Sequence, residues 1–256
     1  MRGRTPLVLM YHGLGVVPRE LDPAHLFVPV AAFAAQLDRL ACKGFELIDE
    51  SAYLDVLDGR AAHPRGVLVT FDDGYCSILE HAAPVLAQRD APAICFVSPG
   101  LAGQSAAPAA APAYQLMDDD EMRALAQTRV ALGCHSWTHD SMVDMSDACL
   151  DEATTQARER MRQVLGRTPR TYAYPYGDHD ARARQAVREA GFECAFATYT
   201  GGGRFAIPRI DVNAGDTPRT FDLKLQRAYP LARRALGHVP RVRSFVHDLV
   251  GHAERV

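Results

Sequence analysis

The chain has 256 residues, 48% of them hydrophobic and 23% charged, and carries a formal net charge of −3. That length holds one large α/β domain or two small ones, and the composition is that of an ordinary soluble globular protein. The negative balance excludes a nucleic-acid binder that works through global charge, and no segment reaches the ~18 apolar residues of a membrane span.

From the amino terminus, Leu7-Val8-Leu9-Met10-Tyr11 is an apolar run that ends at His12. Its four aliphatic residues before Tyr11, Leu7 to Met10, are too few for a secretory signal, and a cytoplasmic protein is expected. Val30 to Lys43 has apolar residues on one helical face and stops at Gly44. Val67-Leu68-Val69-Thr70-Phe71 leads into Asp72 and Asp73, and Ile78 to Arg89 is helical, with Pro84 predicting a kink or a late start. Ala93 to Val97 precedes Ser98-Pro99-Gly100, and the alanine- and proline-rich stretch that follows predicts a mobile surface loop over 101–114. Asp118 to Gln127 opens with three aspartates, favourable at a helix N-terminus. Val130 to Cys134 leads to His135, and Leu150 to Leu165 is helical. Thr171 to Tyr174 leads to Pro175-Tyr176-Gly177, and Asp180 to Ala190 is a helix ending at Gly191.

Short apolar runs alternating with helices predict a single domain of parallel strands joined by crossover helices. Its C-terminal region, 218–256, is less periodic. Phe221 to Leu236 has the spacing of a basic amphipathic helix, with packing on the domain as the first reading and peripheral contact with the inner face of a membrane as the second. Six cysteines, at 42, 76, 95, 134, 149 and 194, include no CxxC pair and read as reduced thiols.

The polar residues that end the apolar runs carry the chemistry. A lone Asp-Asp-Gly is most often a solvated turn, and a lone HxxxH is weak evidence for a metal. In parallel α/β folds, however, the C-terminal strand ends gather on one face, which would bring His12, Asp72, Asp73, His135, His139 and Tyr176 to a common rim. One carboxylate and two neutral imidazoles form a three-ligand metal set with room for water. A second carboxylate could then take a proton, and a histidine across the site could protonate a leaving amine. The chemistry implied is metal-assisted hydrolysis of an amide or ester.

TFDDGY (70–75), HSWTH (135–139) and YAYPYG (172–177), in this order and spacing, resemble the polysaccharide deacetylase family, the NodB-homology domains of carbohydrate esterase family 4. The resemblance spans roughly Leu7 to Asp211. It implies a distorted (β/α) barrel of about seven parallel strands that removes acetyl groups from sugars with a divalent metal, most often zinc. It also implies Asp72 as the base, Asp73, His135 and His139 as metal ligands, and the backbone N–H of Tyr176 as an oxyanion donor, with Pro175 and Gly177 shaping its loop.

Two positions depart from the family's pattern. The third motif usually carries an arginine that orients the base, but Ala173 stands there. Arg209, in Ile207-Pro-Arg-Ile-Asp211, is expected to supply that guanidinium, and its removal is expected to lower turnover far more than stability. The usual C-terminal Leu-x-x-His motif is not convincingly matched by His238 or His247. Leu9-Met-Tyr-His12 instead resembles the N-terminal element of the branch that includes the poly-N-acetylglucosamine deacetylases, which makes His12 the expected general acid.

Asp178, His179 and Asp180 read as a turn with a helix cap, or as groove residues. Trp137 and Tyr75 read as sugar-stacking rings or as packing beneath the metal loop. Asp211 and Asn213 read as substrate contacts or partners of Arg209, while His25, His63 and His81 have no supporting context. The expected substrate is an N-acetylated glycan or lipid-linked sugar, in a cell-surface polysaccharide, lipopolysaccharide or related precursor. A hydrolase of non-sugar linear or cyclic amides and a glycan-binding domain that retains a structural metal are the alternatives.

Overall fold

The structure, a computed structural model, describes residues 5–106, 112–199, 201–226 and 229. Strand β1 (Leu7–Tyr11) is followed by α1 (Val30–Cys42), the short strand β2 (Glu46–Leu47), α2 (Glu50–Leu57) and β3 (Gly66–Phe71). A π-helical turn at Ile78–Ala82 runs into α3 (Ala83–Ala87), and then come β4 (Ala93–Val97), α4 (Asp119–Leu125) and β5 (Val130–Cys134). Helices α5 (Asp147–Asp151) and α6 (Ala157–Leu165) are joined by a second π-helical turn, Glu152–Gln156. Strand β6 (Thr171–Ala173), α7 (Ala181–Glu189), β7 (Cys194–Phe196), β8 (Ile210–Asp211) and α8 (Pro218–Lys224) complete the described elements.

All strand pairs are parallel, in the order β7-β6-β5-β4-β3-β1-β8, with β2 paired to the start of β3. The pleat sends alternate residues into two cores. Val8, Leu68, Ile94, Phe96, Ala173 and Phe196 form one, inside the curled sheet. Leu9, Tyr11, Val69, Phe71, Cys95, Val97 and Tyr172 pack on the other side against helical residues such as Phe33 and Leu37.

The two sheet edges are brought together by a single segment. Ile207 bridges Phe196 of β7, and three residues later Ile210 pairs with Leu9 of β1. The sheet thereby curls into the distorted (β/α) barrel expected. Helix α2 adds Tyr53 and Leu54 to the interior core, and its Glu50 accepts a hydrogen bond from Thr171 at the start of β6. It therefore lies at the end opposite the C-terminal rim.

Local signals explain several boundaries. Asp118 caps α4 in a reciprocal pair with Glu121, Asp180 caps α7, and Gly166 ends α6 at φ 66°. Pro84 stands in the first turn of α3, after the π-helical turn. The six cysteines are free thiols, four of them buried. Around 101–114, the described flanks pair through an antiparallel bridge between Ser105 and Gln115. The helix expected from Phe221 to Leu236 is met only in part: α8 starts three residues earlier and ends at Lys224, and beyond Gln226 the expected stretch falls, Tyr229 apart, outside the described residues.

Candidate active site

Pleat alternation places Asp72 on the barrel's inner face, as it does Leu68 and Thr70. Its carboxylate is nearly enclosed, with the residue 3% exposed, and it receives both arms of Arg209. Nη1 donates to Oδ1 at 2.6 Å and Nη2 to Oδ2 at 2.7 Å. Arg209 is itself held by Nε donation to the Ala197 carbonyl (3.0 Å) and by Nη1 donation to Thr70 Oγ1 (3.2 Å). Burial alone would raise the Asp72 pKa, but the charges of Arg209, His135 and His12 outweigh it and hold the carboxyl below its usual range.

Arg209 reaches this point because it lies in the segment that crosses between the two sheet edges. Its guanidinium carbon stands 5.6 Å from the centre of the Phe96 ring. Ala173, also fully buried, packs in the same interior core as Phe96. A guanidinium from the residue just before β8 thus enters the same interior core as Ala173, where the sequence lacks one.

Asp73 departs from the strand. It adopts φ 70°, and Gly74 follows at φ 80°, so the chain turns and the second carboxylate is carried to the rim and not to the outer face, where alternation would send it. Its Oδ1 stands 3.1 Å from His139 Nε2 and 3.5 Å from His135 Nε2. The three ligand atoms lie within 4.8 Å of one another. His135 Nδ1 bonds the Ala173 carbonyl at 2.8 Å, which fixes the ring and leaves Nε2 facing the carboxylate. His139, at φ 62°, stacks edge-on against His135 and Tyr176.

The donor set fits a divalent cation. Asp73 Oδ1 is buried without a hydrogen-bond partner. Of its distances to the two nitrogens, 3.5 Å falls within ~3.3–3.6 Å, the edge of a tetrahedron with bonds of about 2.0–2.2 Å, and 3.1 Å falls just short of it. Asp73 is held well below the usual carboxylate range, because the neighbouring imidazoles outweigh its burial. His139 moves the opposite way: burial pushes its pKa down, but the Asp73 carboxylate raises it further.

His12 directly follows β1, on the side of both aspartates. Tyr176 is half exposed at φ 58°, and Gly177 follows at φ 72°. A Cβ on Gly177 would lie 2.4 Å from Thr198 Oγ1, so the Tyr-Gly turn depends on glycine. The structure therefore gathers Asp73, His135 and His139 in one cluster, with Asp72 on Arg209 beside it and His12 and Tyr176 at its margin.

The remaining expectations sort by contact. Asp180 caps α7, Ser141 donates to Asp178, and His179 stacks on Tyr174 at 4.7 Å. Tyr75 is buried against Phe27 and Tyr114, so it presents no ring face to a sugar, and Trp137 packs over Gly100. Asp211 is not a partner of Arg209: Lys224 donates to its carbonyl at 2.9 Å, and Asn213 to its carboxylate at 3.4 Å. His63 pairs with Glu46, His81 stands 4.0 Å from Glu80, and the His25 carbonyl accepts from Ala214 N–H. His238 and His247 lie outside the described residues.

Sequence reasoning missed three supporting hydroxyls. Thr70 donates to the Leu9 carbonyl while accepting from Arg209, Ser98 donates to the His135 carbonyl at 2.5 Å, and Ser77 accepts from Leu14 N–H. Thr70 stands inside the first motif, Ser77 two residues beyond it, and Ser98 directly after β4; those positions were the available signal.

The polysaccharide deacetylase family model matches residues 59–195, more than half of the chain. Bacillus subtilis (strain 168) YxkH, named as a polysaccharide deacetylase, is 21% identical over 220 residues, covering 84% of this chain and 74% of the relative. Among solved structures, the Streptococcus pyogenes deacetylase PplD, in complex with acetate, superposes with TM-score 0.75 at 21% identity, covering 86% of this chain and 97% of the other. IcaB from Ammonifex degensii gives TM-score 0.73 at 25% identity, covering 89% and 97%. The chain belongs to the polysaccharide deacetylase family.

Proposed function

We propose that this protein is a metal-dependent hydrolase that removes the acetyl group from an N-acetylated sugar of a polysaccharide, lipopolysaccharide or glycan precursor. The observation that carries the proposal is Asp73 Oδ1, buried without a hydrogen-bond partner and faced by two imidazole nitrogens, next to a carboxylate clamped by a guanidinium. A solvated turn would leave neither oxygen orphaned nor an arginine buried behind it. Family membership supports the acetylated-sugar assignment.

In this reading Asp73, His135 and His139 hold the cation, with zinc favoured by the one-oxygen, two-nitrogen set. When bound, the ion polarises the acetyl carbonyl and makes water a better nucleophile. Asp72 takes a proton from the water that attacks the carbonyl carbon. Arg209 keeps Asp72 ionised and holds its carboxylate in one orientation. The Tyr176 backbone N–H donates to the carbonyl oxygen as it gains charge, a contact aimed at the transition state. His12 delivers a proton to the amine nitrogen as the C–N bond breaks, leaving acetate and a free amino sugar. A domain that only binds glycans is disfavoured, because Arg209 supplies the guanidinium that Ala173 cannot.

The test is acetate release from N-acetylglucosamine oligomers, acetylated polysaccharides and lipid-linked N-acetyl sugars, with chelation and zinc add-back. Zinc-restored release from any of them supports the proposal. Release from none, with turnover of a linear or cyclic non-sugar amide, would overturn it.

A further inference from the structure

The loop that carries His12 is fastened to the loop that carries Asp72 and Asp73 on both sides of the histidine. Before it, Asp72 N–H donates to the Tyr11 carbonyl at 2.9 Å. After it, Leu14 N–H donates to Ser77 Oγ at 3.1 Å. Leu14 and Ser77 are 2% and 7% exposed, so solvent is no ready substitute for this bond.

The chain between these contacts has little freedom. A Cβ on Gly13 would fall 2.2 Å from the Phe27 ring, so that ring presses on the backbone immediately after His12. Phe27 is fixed in turn by Tyr75 and Tyr114, with ring centres at 5.0 and 4.8 Å, and by donation of its N–H to Asp22 at 3.0 Å. Gly13 accepts from Val28 N–H, and Gly15 N–H donates back to the Val28 carbonyl, which closes the loop's base. These last contacts are internal to the loop. The far side is tied to the segment bearing Asp72 and Asp73 by the packing of Phe27 on Tyr75 and by Ser77, whose hydroxyl accepts the hydrogen bond.

We propose that Ser77 is a positioning residue that sets the place of His12 relative to Asp72, and so the fit of acid and base to one substrate. The proposal rests on the assignment of His12 as general acid. Removing the hydroxyl frees the backbone two residues beyond His12 while leaving the Asp72–Tyr11 bond in place. His12 then samples positions displaced from the leaving nitrogen, and the cost falls on the step in which that nitrogen is protonated.

The experiment is a double-mutant cycle of Ser77→Ala and His12→Ala, with Ser77→Thr as the conservative variant. It measures kcat and KM for the acetylated substrate and follows the His12 Hε1 resonance across pH. In the wild-type background Ser77→Ala should lower kcat roughly ten- to a hundred-fold with KM nearly unchanged, and Ser77→Thr should recover most of the loss. In the His12→Ala background Ser77→Ala should add almost nothing. The His12 resonance should broaden or split in Ser77→Ala.

Equal losses in both backgrounds, or a lowered Tm with unchanged kcat, would overturn the proposal. Wild-type turnover in His12→Ala would instead refute the acid assignment; an unbroadened His12 resonance in Ser77→Ala would then refute the fastening as well. If Ser77→Ala does not fold, Ser77→Cys, with a weaker acceptor of similar size, carries the same comparison.

Discussion

Arg209 grips Asp72 with two parallel hydrogen bonds, at 2.6 and 2.7 Å, from 137 positions further along the chain. The pair is buried on both sides, and one member is the proposed base. Breaking such a pair from one side leaves an uncompensated charge in the interior.

Replacing Arg209 with Ala is therefore expected to reduce turnover and stability together, by about 3–5 kcal/mol in the latter. This revises the expectation from sequence that turnover would fall far more than stability, because burial makes the arginine a structural counter-ion too. Arg209→Lys separates the two effects. It keeps the charge, loses the fork, and should lower kcat by roughly ten- to a hundred-fold while the Tm falls less than for Ala. Unchanged kcat in Arg209→Lys would show that bidentate alignment of Asp72 does not matter.

Asp72→Asn should lower kcat by about a hundred-fold or more while zinc binding stays at one equivalent, since the amide cannot take a proton. Calorimetry with zinc and acetate release on the same preparation check both halves. Loss of zinc with the activity would make Asp72 a ligand rather than the base.

Much of this site was legible because each ligand follows a strand buried on both faces, where a run of apolar residues ending in Asp or His stands out. Asp72, Asp73, His135 and His139 fall in two such contiguous signals. Arg209 was harder, since its partner is set by how the sheet closes, and β8 contributes only two residues to the ladder. Strand β2 and helix α2 went unread: two residues give no periodicity, and α2 is short. Yet Asp49, whose carboxylate accepts the Ala52 N–H, was an available cap signal. Of the two readings offered for Asp211, the pairing with Arg209 fails because sequence proximity says nothing of Lys224, which arrives from α8.

Gly177→Ala should impair catalysis out of proportion to its size. The residue stands at φ 72°, where a side chain is strained, and its Cβ would meet Thr198 Oγ1 at 2.4 Å. Relief requires moving the Tyr176–Gly177 peptide, and with it the N–H proposed to face the acetyl oxygen. A loss of kcat of roughly ten- to a hundred-fold is expected, approaching the effect of removing one oxyanion donor. Wild-type kinetics in this variant would exclude Tyr176 N–H from that role.

The acid limb of the pH profile should follow metal release rather than protonation of Asp72. Asp72 is held below the usual carboxylate range, so it remains charged down through ordinary acid pH. His139 has a raised pKa in the metal-free protein, because the pull of Asp73 exceeds the effect of burial, and it must lose that proton to bind a cation. Apparent zinc affinity should therefore fall as pH drops through the raised His139 value, and excess zinc should move the acid limb of kcat/KM to lower pH. The stability linkage has the opposite sense in the metal-free protein. The Asp73–His139 attraction contributes fully below the unfolded histidine value of about 6.5 and is lost as pH rises through the folded one. The Tm gain on adding zinc should consequently widen from pH 6 to pH 8. Thermal denaturation with and without zinc at each pH checks this, and a gain that shrinks toward pH 8 would mean that His139 is not a ligand.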